Sequence, residues 1–173
     1  MSQDEGMKFG ARMDLPEGKR AGFYAQIVKA IADAATVFDR DKELIVVDDA
    51  EARRRVAEVL EKYNVEWEPM NLWLLPEATE LDARAEDFGF LSKFGNAYLY
   101  ADRVDRFRFV DPQPAGAELA PALLQLEEFI VFSHGPGEPV AKTYYAESHL
   151  RETIEGIASR YGVSVSFSEG SLS

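Results

Sequence analysis

Two adjacent carboxylates, Asp48 and Asp49, follow a short β-branched run at residues 44–47 and precede an amphipathic segment. Paired carboxylates bind divalent cations and transfer protons, and ligand sites in strand–helix–strand units lie at the carboxyl end of the strand. Both residues are therefore candidates for a metal or catalytic site. The competing interpretation, which we favour, is that Asp49 caps the next helix and Asp48 is solvated, because Asp is a preferred N-cap residue.

His134 is the second candidate, in a connection at residues 133–138 that is rich in glycine and proline. A histidine beside Glu138 can serve as a general base near neutral pH. The alternative is an exposed turn residue, since loop tips are usually solvated. His149, the other histidine of the chain, lies near the start of a predicted helix, where the dipole disfavours a cation, so we interpret it as a surface residue.

Arg106 and Arg108 alternate with Phe107 and Phe109, and single-strand nucleic-acid binders combine such basic and aromatic residues. In a strand, however, the alternation places both arginines on one face and both phenylalanines on the other. The net charge of −12 also repels a phosphate backbone. We therefore predict a half-buried strand with a salt-bridged outer face, and no nucleic-acid partner.

Composition limits the remaining classes of function. The chain has no cysteine, which excludes disulfides, thiolate metal sites and a cysteine nucleophile. Glycine-rich nucleotide-binding loops, zinc-ligand spacings and hydrolase signatures are absent, so no cofactor is predicted. An acidic N-terminus and the lack of ~18 consecutive apolar residues predict a cytoplasmic protein with no membrane partner. The acid excess is typical either of a salt-loving host or of an ordinary acidic protein.

Apolar periodicity and turn chemistry predict the elements that position these residues. Residues 1–13 are expected to form a flexible arm, and a helix is expected over 16–38, capped by Asp14. A strand at 44–47, a helix from Asp49 to Asn64 and an extended segment at 65–75 follow. The rest is predicted as a short helix in 76–95, strands at 96–100 and 105–110, a helix at 117–126, strands at 129–132 and 140–145, a helix at 147–161 and a strand at 163–167.

This order predicts one α+β domain over residues 14–173, with a mixed, mostly antiparallel sheet and about three amphipathic helices packed on it. A weak repeat accompanies it, because a shift of 98 positions lays residues 45–68 on 143–166. Any two strand–helix–strand units share apolar spacing, so we favour coincidence; a true repeat would predict a ferredoxin-like duplication. The matched pairs are Arg53 with Arg151, Tyr63 with Tyr161, Asn64 with Gly162, and Val65 with Val163.

The sequence therefore favours a non-enzymatic binding or protein-interaction module. Self-association into a homo-oligomer is expected, because the apolar run at residues 72–75 is typical of a buried strand or of one that pairs with another subunit. The alternative is a small hydrolase or metal-dependent enzyme that uses Asp48, Asp49 and His134.

Overall fold

The structure, a computed structural model, describes residues 6–18 and 21–168. Within them the chain forms ten β-strands and five α-helices, which confirms the α+β class. The strands are β1 Met7–Asp14, β2 Asp39–Asp41, β3 Leu44–Val47, β4 Glu66–Leu74, β5 Gly89–Leu91, β6 Ala97–Tyr100, β7 Val104–Phe109, β8 Ile130–His134, β9 Thr143–Glu147 and β10 Val165–Ser168. The helices are α1 Ala21–Ala34, α2 Ala50–Lys62, α3 Ala83–Glu86, α4 Leu119–Leu126 and α5 Arg151–Arg160.

The strands form two sheets, whereas the sequence predicted one. The first sheet has the order β2-β3-β1-β4-β6-β5 and the second has the order β10-β7-β9-β8. The chain correspondingly divides into two compact units. The first unit is Glu5–Glu80 with Phe90–Tyr98, and the second contains Leu81–Gly89 and Leu99–Ser173. Among the described residues, no helix is long and apolar enough to cross a membrane.

Both units contain the same β-α-β-β-α-β arrangement, which is the ferredoxin-like motif. In the first unit it is β1-α1-β2-β3-α2-β4, and in the second it is β7-α4-β8-β9-α5-β10. In each sheet the first strand of the motif lies between the third and the fourth, and the second strand is next to the third. The repeat that we ascribed to coincidence is therefore present in the topology of the two units.

The ends of helices α2 and α5 repeat in detail. Each helix has a tyrosine as its C-cap residue, Tyr63 in α2 and Tyr161 in α5. The next residues, Asn64 and Gly162, have positive φ angles of 58° and 67°. Glycine and asparagine adopt this left-handed conformation more readily than other residues. The sequence match at an offset of 98 residues thus falls on positions with the same backbone role.

Strand β1 (Met7–Asp14) corrects the expectation of a flexible arm over residues 1–13. It pairs antiparallel with both β3 and β4, and alternate side chains, including Met7 and Met13, are buried. Gly10 allows a close approach here, because a Cβ at this position would lie 2.9 Å from the carbonyl oxygen of Met70. Residues 1–5 lie outside the described part of the chain. We expected Asp14 to cap the first helix. It is instead the last residue of β1, so it does not cap α1.

In the first unit the sheet curves until its two ends meet. Asp39 on β2 is 4% exposed, and its carboxylate accepts hydrogen bonds from Tyr98 Oη at 2.8 Å and Asn96 Nδ2 at 3.0 Å. Strand β2 is at one end of the strand order and β6 is near the other. In the same unit, Leu72 and Trp73 of β4 are fully buried. The apolar run at residues 72–75, which suggested a contact with another subunit, is therefore part of the core. Self-association stays a prediction, but this run does not supply its surface.

The second unit has its core on one face of its sheet. Phe107 and Phe109 of β7 pack with Tyr144 of β9 and with the apolar sides of α4 and α5. The ring centroids of Phe107 and Tyr144 are 5.3 Å apart in a stacked arrangement. Burial of these rings on one face leaves the alternate residues of the same strands on the other face, away from the helices.

Candidate functional site

Asp48 and Asp49 each have a structural role in the first unit. Asp49 is the N-cap of α2, and its side chain accepts a hydrogen bond from the Ala52 amide at 2.7 Å, which confirms the cap. Asp48 forms an ion pair with Lys8 at 2.7 Å and is about half exposed. Over residues 6–18 and 21–168, no group of three or more acidic or histidine side chains is placed to hold a metal ion. A catalytic or metal role for either carboxylate stays a prediction.

His134 is the last residue of β8 and not part of the turn that follows. Its side chain is half-buried, and Nε2 is 3.1 Å from the hydroxyl oxygen of Tyr145 on β9. The expected alternative, an exposed turn residue, is therefore wrong. His134 belongs to the second unit, whereas Asp48 and Asp49 belong to the first.

The face of the second sheet that points away from its helices carries the residues that we define as the basic cluster. Strand register supplies them: Arg106 lies opposite Tyr145, and Phe132 lies opposite Tyr145 from the other side. Phe107 and Phe109 are buried on the helix side, so the predicted separation of arginines from phenylalanines is confirmed. The basic cluster consists of Arg106, Arg108, Phe132, His134 and Tyr145.

The rings of the basic cluster pack together. The centroid of Tyr145 is 6.0 Å from that of Phe132 and 5.7 Å from that of His134. Tyr145 is only 1% exposed, whereas Arg108 is exposed and Arg106 is half-buried. Within the described part of the chain, none of the ion pairs includes Arg108. The salt-bridged outer face that the sequence predicted is thus not found at this guanidinium.

Two guanidinium groups dominate the electrostatics of the basic cluster. Burial lowers the pKa of His134, and the positive charges of Arg106 and Arg108 lower it further. Burial raises the pKa of Tyr145 to about 12, although both arginines and a hydrogen bond with Arg106 act in the opposite direction. At neutral pH the imidazole and the phenol are therefore uncharged, and the two arginines supply the charge.

This arrangement can bind an oxyanion. Guanidinium groups present a planar set of donors that matches carboxylate, sulfate and phosphate oxygens, and such charge-assisted hydrogen bonds are stronger than neutral ones. Ser166 and Ser168 of β10 lie opposite Arg108 and Arg106 and share their face. Their hydroxyl groups can add further donors at the edge of the cluster.

The repeat shows what distinguishes the two sheets. Lys8 of β1 and Arg106 of β7 are separated by 98 positions, the offset of the sequence repeat. Lys8 forms its ion pair with the carboxylate of Asp48. The residue opposite Arg106 is a neutral phenol, Tyr145. The two cations thus have different neighbours, a carboxylate beside Lys8 and a phenol opposite Arg106.

The first unit has a cavity of about 370 Å³, and its lining differs in charge from the basic cluster. Half-buried Trp67 contributes to its wall. Its lining has one cationic side chain and four carboxylates, an arrangement that repels anions. The lining residues are Arg12, Met13, Asp14, Glu43, Glu66, Trp67 and Glu68.

Comparisons with known proteins do not identify the chain. No protein-family model matches it, and no curated protein matches it. Among solved structures it is similar to the aspartate kinase of Clostridium acetobutylicum, an allosteric enzyme, at 10% identity and a TM-score of 0.28. That likeness covers 90% of this chain but only 32% of the kinase chain. Since it is too low to support an argument, the fold assignment rests on strand order and connectivity.

The sequence analysis named Arg106, Arg108 and His134 as candidates, but it did not predict that they lie on the same sheet face. The sequence analysis did not single out Tyr145. The alternation of Thr143, Tyr144 and Tyr145 shows that Tyr145 faces away from Tyr144. Which strand lies beside it is not a local property of the sequence.

Proposed function

We propose that the protein is a non-enzymatic binding module that takes a small oxyanion at the basic cluster. The observation that carries this proposal is the placement of Arg106 and Arg108 on one sheet face, beside the uncharged side chains of Tyr145 and His134. The ligand class is a carboxylate, sulfate or phosphate group, because these anions match the donor geometry of a guanidinium.

Charge and burial favour a small ligand over a nucleic acid. The chain as a whole has a net charge of −12, which repels a polyanion at long range. RNA-binding sheets of this kind stack bases on exposed aromatic rings. Tyr145 is 1% exposed and cannot offer such a surface. A compact anion needs only the donors of the cluster and avoids most of the repulsion.

A titration with potassium sulfate tests the proposal, with potassium chloride at matched ionic strength as the control for screening. Amide chemical shifts in β7, β8 and β9 should saturate with sulfate and not with chloride. Arg108→Gln should weaken sulfate binding about tenfold, because it removes a charge-assisted hydrogen bond. Arg160→Gln is the matched control, since Arg160 is an exposed arginine of α5 in the same unit.

The proposal fails if the sulfate-induced shifts do not saturate, or if chloride reproduces them. It also fails if Arg108→Gln and Arg160→Gln weaken binding equally. That result would show that sulfate responds to the overall charge of the protein and not to the basic cluster.

A further inference from the structure

We infer that oxyanion binding at the basic cluster is coupled to uptake of one proton by His134. This inference rests on the proposed function and adds a regulation to the same site. Its geometric basis is the chain of contacts across three strands. His134 Nε2 lies 3.1 Å from the Tyr145 hydroxyl, and Tyr145 lies opposite Arg106 in the strand register.

Within residues 6–18 and 21–168, the two charges that act on His134 are both positive. Strand β7 contributes the positive charges of Arg106 and Arg108, and β9 contributes the uncharged phenol of Tyr145. Thr143 of β9 lies directly opposite His134, and Phe132 of its own strand has its ring centroid 6.1 Å away. The nearest charged residues along the connecting loop, Glu138 and Lys142, are not among the charges that act on His134.

These surroundings keep the imidazole neutral when no anion is bound. Burial lowers the pKa of His134 and the two guanidinium groups lower it further. With Nε2 unprotonated, the Tyr145 hydroxyl donates its hydrogen to that nitrogen. The proton of Tyr145 is then turned toward His134 and is not available to a ligand.

An oxyanion beside Arg106 and Arg108 reverses the balance. Its negative charge offsets the two guanidinium charges and favours the imidazolium form of His134. A proton taken from solvent then resides on Nε2, which donates to the Tyr145 oxygen. The hydroxyl hydrogen of Tyr145 turns away and can donate to the anion. The protein takes up one proton, and no other covalent bond forms or breaks. The site gains one positive charge and one hydrogen-bond donor.

Linkage makes this coupling reciprocal. If the protonated protein binds the anion tenfold more tightly, anion binding raises the pKa of His134 by about 1. Affinity should therefore increase as the pH falls toward and below about 6.5, the ordinary pKa of a histidine, because the pKa of His134 lies below that value in the free protein. Sulfate is a suitable probe because it does not titrate in this range, so any proton taken up belongs to the protein.

Calorimetric titration of the full chain with potassium sulfate near pH 6.5 measures the proton count. The binding enthalpy is compared in buffers that differ in ionisation enthalpy but not in ionic strength. We expect a fraction of one proton to be taken up per sulfate bound. This uptake should vanish in His134→Asn and persist in His149→Asn, since His149 is exposed and lies outside the cluster.

Proton NMR on the unmodified chain gives a second measurement that does not depend on a variant folding. The chain has two histidines, so the titration curves of both imidazoles can be followed with and without sulfate. The pKa of His134 should rise when sulfate is present, relative to chloride at the same ionic strength. An unchanged His134 pKa, or saturable binding without proton uptake, overturns the coupling and leaves the proposed function standing. Absence of saturable sulfate binding overturns the proposed function itself.

Discussion

Replacement of Asp39 with alanine removes the carboxylate that joins the two ends of the curved first sheet. Four donors lose their acceptor: the hydroxyl groups of Tyr98 and Ser92, the side-chain amide of Asn96 and the backbone amide of Arg40. Burial acts to raise the pKa of Asp39, yet these hydrogen bonds together lower it. The carboxylate is therefore better stabilised as an anion in the folded protein than in the unfolded chain.

The size of the effect follows from the burial of the donors. Tyr98 is fully buried and Ser92 is 4% exposed, so water cannot replace the carboxylate for these two hydroxyl groups. Each unsatisfied buried donor costs about 1–3 kcal/mol, which gives about 2–6 kcal/mol for the two. The variant no longer has to desolvate a carboxylate, which offsets part of this cost. We expect Asp39→Ala to lower the free energy of unfolding by about 2–5 kcal/mol.

Chemical denaturation followed by tryptophan fluorescence measures this loss, and Asp41→Ala is the matched control. Asp41 lies on the same strand and accepts a hydrogen bond from the Lys93 amide at 3.0 Å, but it is partly exposed. Its removal should cost about 1 kcal/mol or less. If Asp39→Ala costs no more than Asp41→Ala, the buried network does not hold the sheet ends together and the reasoning is wrong.

The same network predicts a pH dependence, which Asp39→Asn isolates. Because the folded-state pKa of Asp39 lies below its ordinary value, its stabilising contribution is present above the ordinary pKa. It is lost as the pH falls through the folded-state pKa. The stability difference between the native chain and Asp39→Asn should thus be full above about pH 5 and shrink below about pH 4. A constant difference over that range would show that the charge of Asp39 does not contribute.

Three further predictions concern local structure and charge. Asp49→Ala should lower the free energy of unfolding by about 0.5–2 kcal/mol because α2 loses its cap. The ion pair of half-exposed Asp48 with Lys8 should contribute less than about 1 kcal/mol, so denaturation curves with equal losses for Asp48→Ala and Asp49→Ala would contradict the assignment. Gly162→Ala should destabilise by about 1–2 kcal/mol, because its φ of 67° is strained for a residue with a Cβ and its surroundings hold no steric obstacle. Asn64→Gly, at the equivalent position, should not lower the melting temperature. Finally, the melting temperature should rise between low salt and molar KCl, because screening relieves the repulsion within a chain of net charge −12. A flat or falling curve, with a neutral osmolyte as control, would show that local ion pairs outweigh the net field.

Local chemistry was predictable from the sequence wherever the deciding contacts lie within a few residues. Asp49 caps α2 through an amide three residues away, and Asn64 ends the same helix. Alternation alone separated Arg106 and Arg108 from the two buried phenylalanines. These assignments succeeded because helix ends and strand faces depend on neighbouring residues and on a fixed backbone period.

Strand neighbours were not predictable, and they decide the rest of the fold. Strand β1 was not predicted, because residues 1–13 have mixed polarity and include Gly10. Its central position depends on pairing with β3 and β4. Asp39 looked like an ordinary polar residue, and only the curvature of the sheet brings Asn96 and Tyr98 to it. The weak sequence repeat matched helix-end chemistry at a few positions, whereas the shared strand order is visible only in the folded chain.

The basic cluster shows the same division between sequence and tertiary structure. The sequence determined that Arg106 and Arg108 share one side of a strand and that Tyr145 points away from Tyr144. Tertiary structure decided that Tyr145 lies opposite Arg106 and within hydrogen-bond distance of His134. The physical reason is that pairing between β7, β8 and β9 is fixed by burial of the opposite face against α4 and α5. Residues that never touch the cluster therefore set its geometry.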